Sequence, residues 1–156
     1  RIQVEHPVTE SVTGLDLVAE QLRIAAGEPL SVAQRDILCR GAAVELRINA
    51  EDPDNGFQPG PGELSRFDLP RGSGVRVDTG FGQGDRITPY YDSMIAKLIC
   101  SGTHRTDALD RAAKALDELN IGGVPSTAPL HRRLLDDSEL RSGAVHTGWL
   151  EEWLDG

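Results

Sequence analysis

Apolar and polar residues alternate strictly in two short stretches of the chain. In residues 1–5, Arg1, Gln3 and Glu5 take one parity and Ile2 and Val4 the other. From Ala43 to Asn49, Val44, Leu46 and Ile48 alternate with Glu45, Arg47 and Asn49. Successive side chains of a strand point to opposite faces, so each stretch is expected to be a strand with one apolar and one mixed-charge face. Between them the period lengthens. Leu15, Val18, Leu22 and Ala25 recur at helical spacing, with Thr13 expected as N-cap, Asp16 three residues on, Gly27 as the stop and Pro29 beyond it.

Residues 51–92 are broken by Pro and Gly at 53–56, 59–62, 70–74 and 80–84. Short strands are expected between these turns at 63–67, 75–78 and 86–88, forming an antiparallel meander. The more apolar run Ser93–Cys100 suits a central strand. The last third is expected to be helical. Thr106 caps a first helix lined by Leu109, Ala112, Leu116 and Leu119 and ended by Gly122-Gly123. A second starts at Ser126 and carries Leu130, Leu134 and Leu135. A third follows Thr147 and presents Trp149, Leu150, Trp153 and Leu154. This order implies an α+β fold, a mainly antiparallel sheet with flanking helices.

Composition narrows the class. The 156 residues suffice for one domain with a core, and 38% hydrophobic with 26% charged residues suits a globular rather than a disordered chain. No apolar run approaches the roughly 20 residues of a membrane helix. A formal net charge of -9 argues against nucleic acid as a partner. Cys39 and Cys100 each sit in an apolar run, lack metal-ligand spacing and are expected to be buried thiols in a reducing compartment. The four histidines are scattered, so no metal cluster is visible. The chain opens on Arg1-Ile2-Gln3-Val4-Glu5-His6-Pro7 with neither Met nor a signal segment, and position 1 is read as a cut inside a longer chain.

Two stretches invite chemistry. Gly80-Phe81-Gly82-Gln83-Gly84 resembles a phosphate loop only superficially. Strand-like residues ending in Pro89 follow it instead of a helix N-terminus, so these are hairpin glycines. The face of Arg1, Gln3 and Glu5 is more suggestive. A guanidinium grips a planar anion bidentately, an amide adds a hydrogen bond, and a carboxylate can act as base. Arg47 would supply a second cation. Spacing leaves two readings open, a small-anion site and a structural ion-pair network.

The run Arg1-Ile2-Gln3-Val4-Glu5-His6-Pro7-Val8-Thr9-Glu10 resembles the signature of the biotin carboxylases, the biotin-dependent branch of the ATP-grasp superfamily. Three further stretches resemble the same family in order: Glu45–Pro53, Pro59-Gly60-Pro61-Gly62 and Tyr91–Ile99. The likeness extends to Thr13–Val18 and His146-Thr147, and so along essentially the whole chain. Gly41-Ala42-Ala43 departs from it, since many relatives carry histidine in the middle. Ala42 is expected at the strand entrance.

The resemblance implies a biotin carboxylase C-terminal domain fold over 31–156, with 1–30 as the C-terminal end of the ATP-grasp region. It also implies a ligase reaction in which ATP activates bicarbonate as carboxyphosphate and the CO2 released is captured by the enolate of biotin. By motif position, Arg1 would be catalytic, helping to fix bicarbonate and the charged intermediate, while Gln3 and the Val4 N–H would hold bicarbonate in place. Glu5 would deprotonate it, and Arg47 would contact bicarbonate and stabilise the enolate. The implied cofactors are ATP, Mg2+ and biotin. The implied partners are a second copy of the full-length enzyme, a biotin carboxyl carrier domain and a carboxyltransferase subunit, all in the cytoplasm. The metal ligands and glycine-rich ATP flap of the family are not in this sequence, so the fragment alone is expected to be inactive. The rival expectation is a non-catalytic interaction or dimerisation module derived from that enzyme.

Overall fold

The computed structural model describes residues 1–156. It opens with two short helices. α1 (Pro7–Thr13) begins on Pro7, where a missing N–H leaves no bond unmade, and ends at Gly14, in the left-handed region at φ 74°. α2 (Leu17–Ala25) is capped by Asp16, whose carboxylate accepts the Ala19 N–H at 2.8 Å.

Two expectations are corrected here. Residues 1–5 are not a strand. No other strand runs alongside to pair with them, and the His6 and Val8 N–H groups fold back onto the Gln3 and Glu5 carbonyls. Thr13 closes α1 instead of opening α2, its hydroxyl donating to the Thr9 carbonyl at 2.6 Å. The apolar stripe of α2 also stays outside the core, with Val18 and Leu22 exposed.

The strands follow: β1 (Ala42–Asn49), β2 (Glu51–Asp52), β3 (Gln58–Pro59), β4 (Gly62–Glu63), β5 (Arg66–Asp68), β6 (Val75–Thr79), β7 (Arg86–Ile87) and β8 (Met94–Gly102). The rest is α3 (Arg105–Glu118), β9 (Asn120–Gly122), α4 (Ala128–Leu134), α5 (Ser138–Ser142) and α6 (Trp149–Asp155). All pairings are antiparallel, which bears out the α+β class. β8 is the centre of the main sheet, ordered β1-β8-β6.

The expected meander is only partly present. The run 63–67 splits at the buried Leu64 into β4, which pairs with β7, and β5, which pairs with β9. The glycines at 80–84 do form a turn, closed by the Gly82 N–H on the Asp85 carboxylate at 2.7 Å.

Register explains the core. Three rows of aligned residues cross the sheet: Val44–Cys100–Val75, Leu46–Leu98–Val77 and Ile48–Ala96–Thr79. Against this apolar face α3 packs Leu109, Ala112, Ala115 and Leu116, and one buried cluster results. β1 enters at Ala42, as expected. Cys100 is part of the core. Cys39 is exposed instead, because the apolar run 37–39 belongs to an irregular segment that no element covers.

Other boundaries differ at the C-terminal end. α3 is capped at His104 rather than Thr106, since the Asp107 carboxylate accepts the His104 N–H at 3.2 Å. It stops at Glu118, and 120–122 pair with β5 instead of extending the helix. Gly123 follows at φ 92°, where a side chain would overlap the Glu63 carbonyl oxygen. The unanticipated α5 is capped by Asp137, which accepts the Glu139 and Leu140 N–H groups. α6 starts after Gly148 and buries Trp149 against Leu130 and Leu134, while Leu150 and Leu154 remain exposed.

Leu98 lies at the middle of the central strand and is 1% exposed. Leu98→Ala is expected to lower unfolding free energy by about 2–5 kcal/mol in a denaturant titration. Leu22→Ala, on the uncovered face of α2, is expected to change it by less than about 0.5 kcal/mol.

Candidate functional site

The face of the sheet turned away from α3 is charged. Residues of the opposite parity align as Glu45–Ile99–Arg76 and Arg47–Lys97–Asp78. α1 and the turn before it lie over this face and add Glu5 and Glu10. Opposite charges pair within the layer, while Arg47 and Lys97 stand side by side. Glu10 meets Arg76 Nη1 at 2.8 Å, Arg76 Nε meets Asp78 at 2.7 Å, and Asp78 meets Lys97 at 3.5 Å. At the other edge, Arg47 Nε stands 3.7 Å from Glu45 Oε1 and Arg47 Nη2 3.3 Å from Glu5 Oε2. Glu10 also ties both helices to the sheet, since its second oxygen accepts the Leu17 N–H at 2.9 Å.

The environment shifts these groups in opposite directions. Burial pushes Asp78 up, but the hydrogen bond from Arg76 and the charges of Arg76 and Lys97 outweigh it and leave its carboxyl below the usual range. Arg76 is held more firmly protonated by its hydrogen bonds to Asp78 and Glu10. Glu45 goes the other way. Burial raises its carboxyl above the usual range, and the attraction of Lys97 and Arg47 does not cancel that. Its Oε2 has no hydrogen-bond partner.

Arg47 is also fixed through its backbone. Its carbonyl accepts the Thr127 hydroxyl at 3.0 Å and His131 Nε2–H at 2.8 Å. The same Thr127 oxygen accepts the Asn49 N–H at 3.0 Å, and the Thr127 N–H donates to the Asn49 carbonyl at 3.1 Å. Burial lowers the His131 pKa, partly offset by its bond to the Arg47 carbonyl, so the ring is neutral at neutral pH and donates from Nε2. The start of α4 therefore pins the C-terminal end of β1.

The residues singled out in the sequence fall into two groups. Glu5 and Arg47, 42 positions apart, are brought together. Arg1 and Gln3 instead line an open groove of about 530 Å³ with His6, Leu17, Glu20 and Ile24, and neither bonds to Glu5 or Arg47. The Val4 N–H has no acceptor within the chain. Glu20 closes the far side of the groove by accepting the N–H and hydroxyl of Ser31, which, with Arg23, hold its carboxyl below the usual range. Sequence reasoning missed Glu45, Lys97, Arg76, Asp78, Thr127 and His131. The Arg76–Asp78 alternation was a signal, but nothing in the sequence says which strands become neighbours. No three His, Cys, Asp or Glu side chains converge to hold a metal ion.

Comparison with known proteins gives the chain a context. Residues 45–152 match the model of the biotin carboxylase C-terminal domain, and 1–33 that of the carbamoyl-phosphate synthase L chain ATP-binding domain. The chain is 49% identical over 97% of its length to a biotin carboxylase of Nostoc sp., covering 34% of that protein. It is 48% identical over 99% of its length to a biotin carboxylase of Pseudomonas aeruginosa, again covering 34%. Among solved structures it matches the biotin carboxylase domain dimer of Hydrogenobacter thermophilus 2-oxoglutarate carboxylase, a complex with MgADP, ADP and bicarbonate. That match has a TM-score of 0.95 and 49% identity, and covers 97% of this chain and 34% of the other. The biotin carboxylase subunit of a pyruvate carboxylase matches at a TM-score of 0.97 and 45% identity over 99% of this chain and 34% of that one. The chain thus spans about a third of the length of the relatives it matches.

The charged layer sets a pH dependence with opposing parts. The lowered Asp78 contributes stability that is complete above the ordinary aspartate value of about 3.9 and is lost as pH falls through its lower folded value. The raised Glu45 acts oppositely, its unfavourable charge being relieved as pH falls toward the ordinary glutamate value of about 4.3. Asp78→Asn is expected to lower the melting temperature at pH 7 and flatten its decline below about pH 4. An unchanged acid limb in melts across pH would remove Asp78 from that role.

Proposed function

The chain belongs to the biotin carboxylase C-terminal domain family, and from that membership we propose that it is part of a biotin carboxylase. The reaction is the ATP- and bicarbonate-dependent carboxylation of biotin on a carrier domain, the first half-reaction of an acyl-CoA or related carboxylase. Residues 1–30 would close the ATP-grasp region and 31–156 would form the C-terminal domain. The observation that carries the reading is the Glu5–Arg47 pair, a carboxylate and a guanidinium held 3.3 Å apart at one edge of the charged layer.

Each residue has a task suited to its chemistry. Arg1 and Gln3, with the unpaired Val4 N–H, offer donors to bicarbonate. Glu5 accepts its proton as general base. Arg47 offsets the negative charge that builds on the ureido group of biotin as its N1 proton leaves, a donor aimed where charge develops. ATP supplies the phosphoryl group that activates bicarbonate. By the family resemblance, Mg2+ and nucleotide would be held mainly by other regions of the enzyme. The chain would act as a homo-oligomer in the cytoplasm, with a biotin carboxyl carrier domain and a carboxyltransferase subunit. No helix is long and apolar enough to cross a membrane.

A second reading, a non-catalytic interaction module derived from the same enzyme, draws on the exposed apolar residues Val18 and Leu22, one turn apart on α2. Mutation separates the two. In the full-length protein, Glu5→Gln and Arg47→Ala are each expected to cut biotin-dependent carboxylation by about 100-fold or more while circular dichroism and melting stay close to wild type. Near-normal turnover in either variant removes that residue from the mechanism. The isolated 156-residue chain is expected to show no bicarbonate-dependent ATP hydrolysis, and phosphate release above background would refute the division of the site.

A further inference from the structure

Arg47 has two carboxylates within ion-pair reach, and they are not equivalent. The Glu5 side chain is 52% exposed and meets a terminal nitrogen, Nη2. The Glu45 side chain is 5% exposed and faces Nε, the nitrogen nearest the chain, while Nη1 has no partner within the chain. Arg47 therefore keeps its inner edge against a buried anion and its outer edge toward solvent.

Glu45 is hard to explain as a device for folding. One of its oxygens is buried with no hydrogen-bond partner, an arrangement that opposes folding. The groups facing it are Arg47 on its own strand, Lys97 on β8, Asp78 on β6 and Glu5 in the turn before α1. Two of these attract it and two repel it, and burial dominates, so the ionised form is disfavoured in the folded state. A glutamine of the same shape would carry no such charge penalty. Of the two cations it attracts, Lys97 already has Asp78 as an ion-pair partner, and Arg47 is the one that stands at an open edge of the layer.

The functional reading above, on which this inference rests, supplies that need. Glu5 changes protonation state during the reaction, and once protonated it no longer attracts Arg47. A guanidinium held only by Glu5 would be released at the step that requires it in place. We propose that Glu45 is the positioning residue of Arg47, holding the guanidinium by its Nε edge so that Nη1 and Nη2 stay available to the anionic substrate while Glu5 takes up and gives back its proton. Glu45 touches no substrate itself. It acts only through Arg47.

The test is Glu45→Gln in the full-length carboxylase. The turnover number with biotin is expected to fall about 10- to 100-fold, the range for removing the partner that orients a functional group. KM for bicarbonate and ATP is expected to stay within about two-fold. The melting temperature is expected to equal or exceed that of wild type, which a merely structural residue would not give. Combined with Arg47→Ala, the substitution is expected to cause no further loss. Wild-type turnover, a parallel fall in melting temperature and turnover, or the same fold-loss in the Arg47→Ala background would each overturn the proposal. If Glu45→Gln does not fold, Glu45→Asp, which keeps the charge but withdraws it from Nε, should lower turnover at unchanged KM, and wild-type turnover there overturns the proposal too. The Arg47→Ala single variant keeps the two questions apart. If it retains wild-type turnover the functional reading fails, and if it is inactive while Glu45→Gln is normal only the positioning role fails.

Discussion

The arrangement on which the structure depends is the pairing of two opposite faces on one three-stranded sheet. One face is apolar and receives α3. The other carries paired charges of both signs and receives α1. Because strand side chains alternate from Val44 to Ile48, the residues that build the core also dictate which residues face the charged plane. A one-residue slip of β1 against β8 would put Glu45 and Arg47 into the core and Leu46 under α1. The hydrophobic requirement of the α3 side therefore holds the register of the ionic side, and the site inherits its precision from the core.

Arg47 shows how this works at one residue. Its carbonyl takes two hydrogen bonds from the start of α4, and its strand neighbours are buried at Leu46 and Ile48, so the backbone has little freedom. Only the side chain can move, and its two ends meet carboxylates of different character. At the far edge of the plane, Arg76 is held by Asp78 and Glu10 in strong hydrogen bonds. That end is saturated, whereas the Arg47 end leaves a buried carboxylate oxygen and a guanidinium nitrogen without partners. The contrast separates a structural clamp from a site open to a ligand within a single layer.

Local patterns in the sequence were a good guide where one element's own periodicity decides its state. The parity of 44–48 anticipated the two faces of β1, and the apolar run 93–100 anticipated the central strand. The turn chemistry of 80–84 was legible because a helix would have to follow a phosphate loop and does not. Residues 1–5 failed because alternation describes a face, and a strand also needs a partner along its edge. α2 failed as a core helix because an amphipathic stripe specifies that something should cover it, without saying what. Of the site, Glu5 and Arg47 were visible as chemical types, and the family resemblance gave them roles. Thr127 and His131 were invisible because their contacts reach β1 from α4, up to 84 residues away, and Glu45 because its burial depends on the elements packed over its strand.

A buried, partly unpartnered carboxylate beside an arginine proposed to act on substrate is a place where the requirements of folding and of chemistry diverge. Folding favours neutral or fully satisfied groups, as the apolar rows across the sheet and the saturated Arg76 clamp both demonstrate. Catalytic electrostatics favours charges that are fixed in advance and screened from water, because reorganisation is then avoided when charge develops. In the proposed role Glu45 would satisfy the second requirement at the expense of the first, in the row next to Arg47. The local instability is tolerable because it is bracketed by strong elements on every side: the β1–β8 ladder, the α4 anchor on the Arg47 carbonyl, and the Arg76–Asp78–Glu10 clamp two strands away. A rigid frame that carries one disfavoured charge supports a positioning site, since the frame prevents that charge from being relieved by moving the arginine.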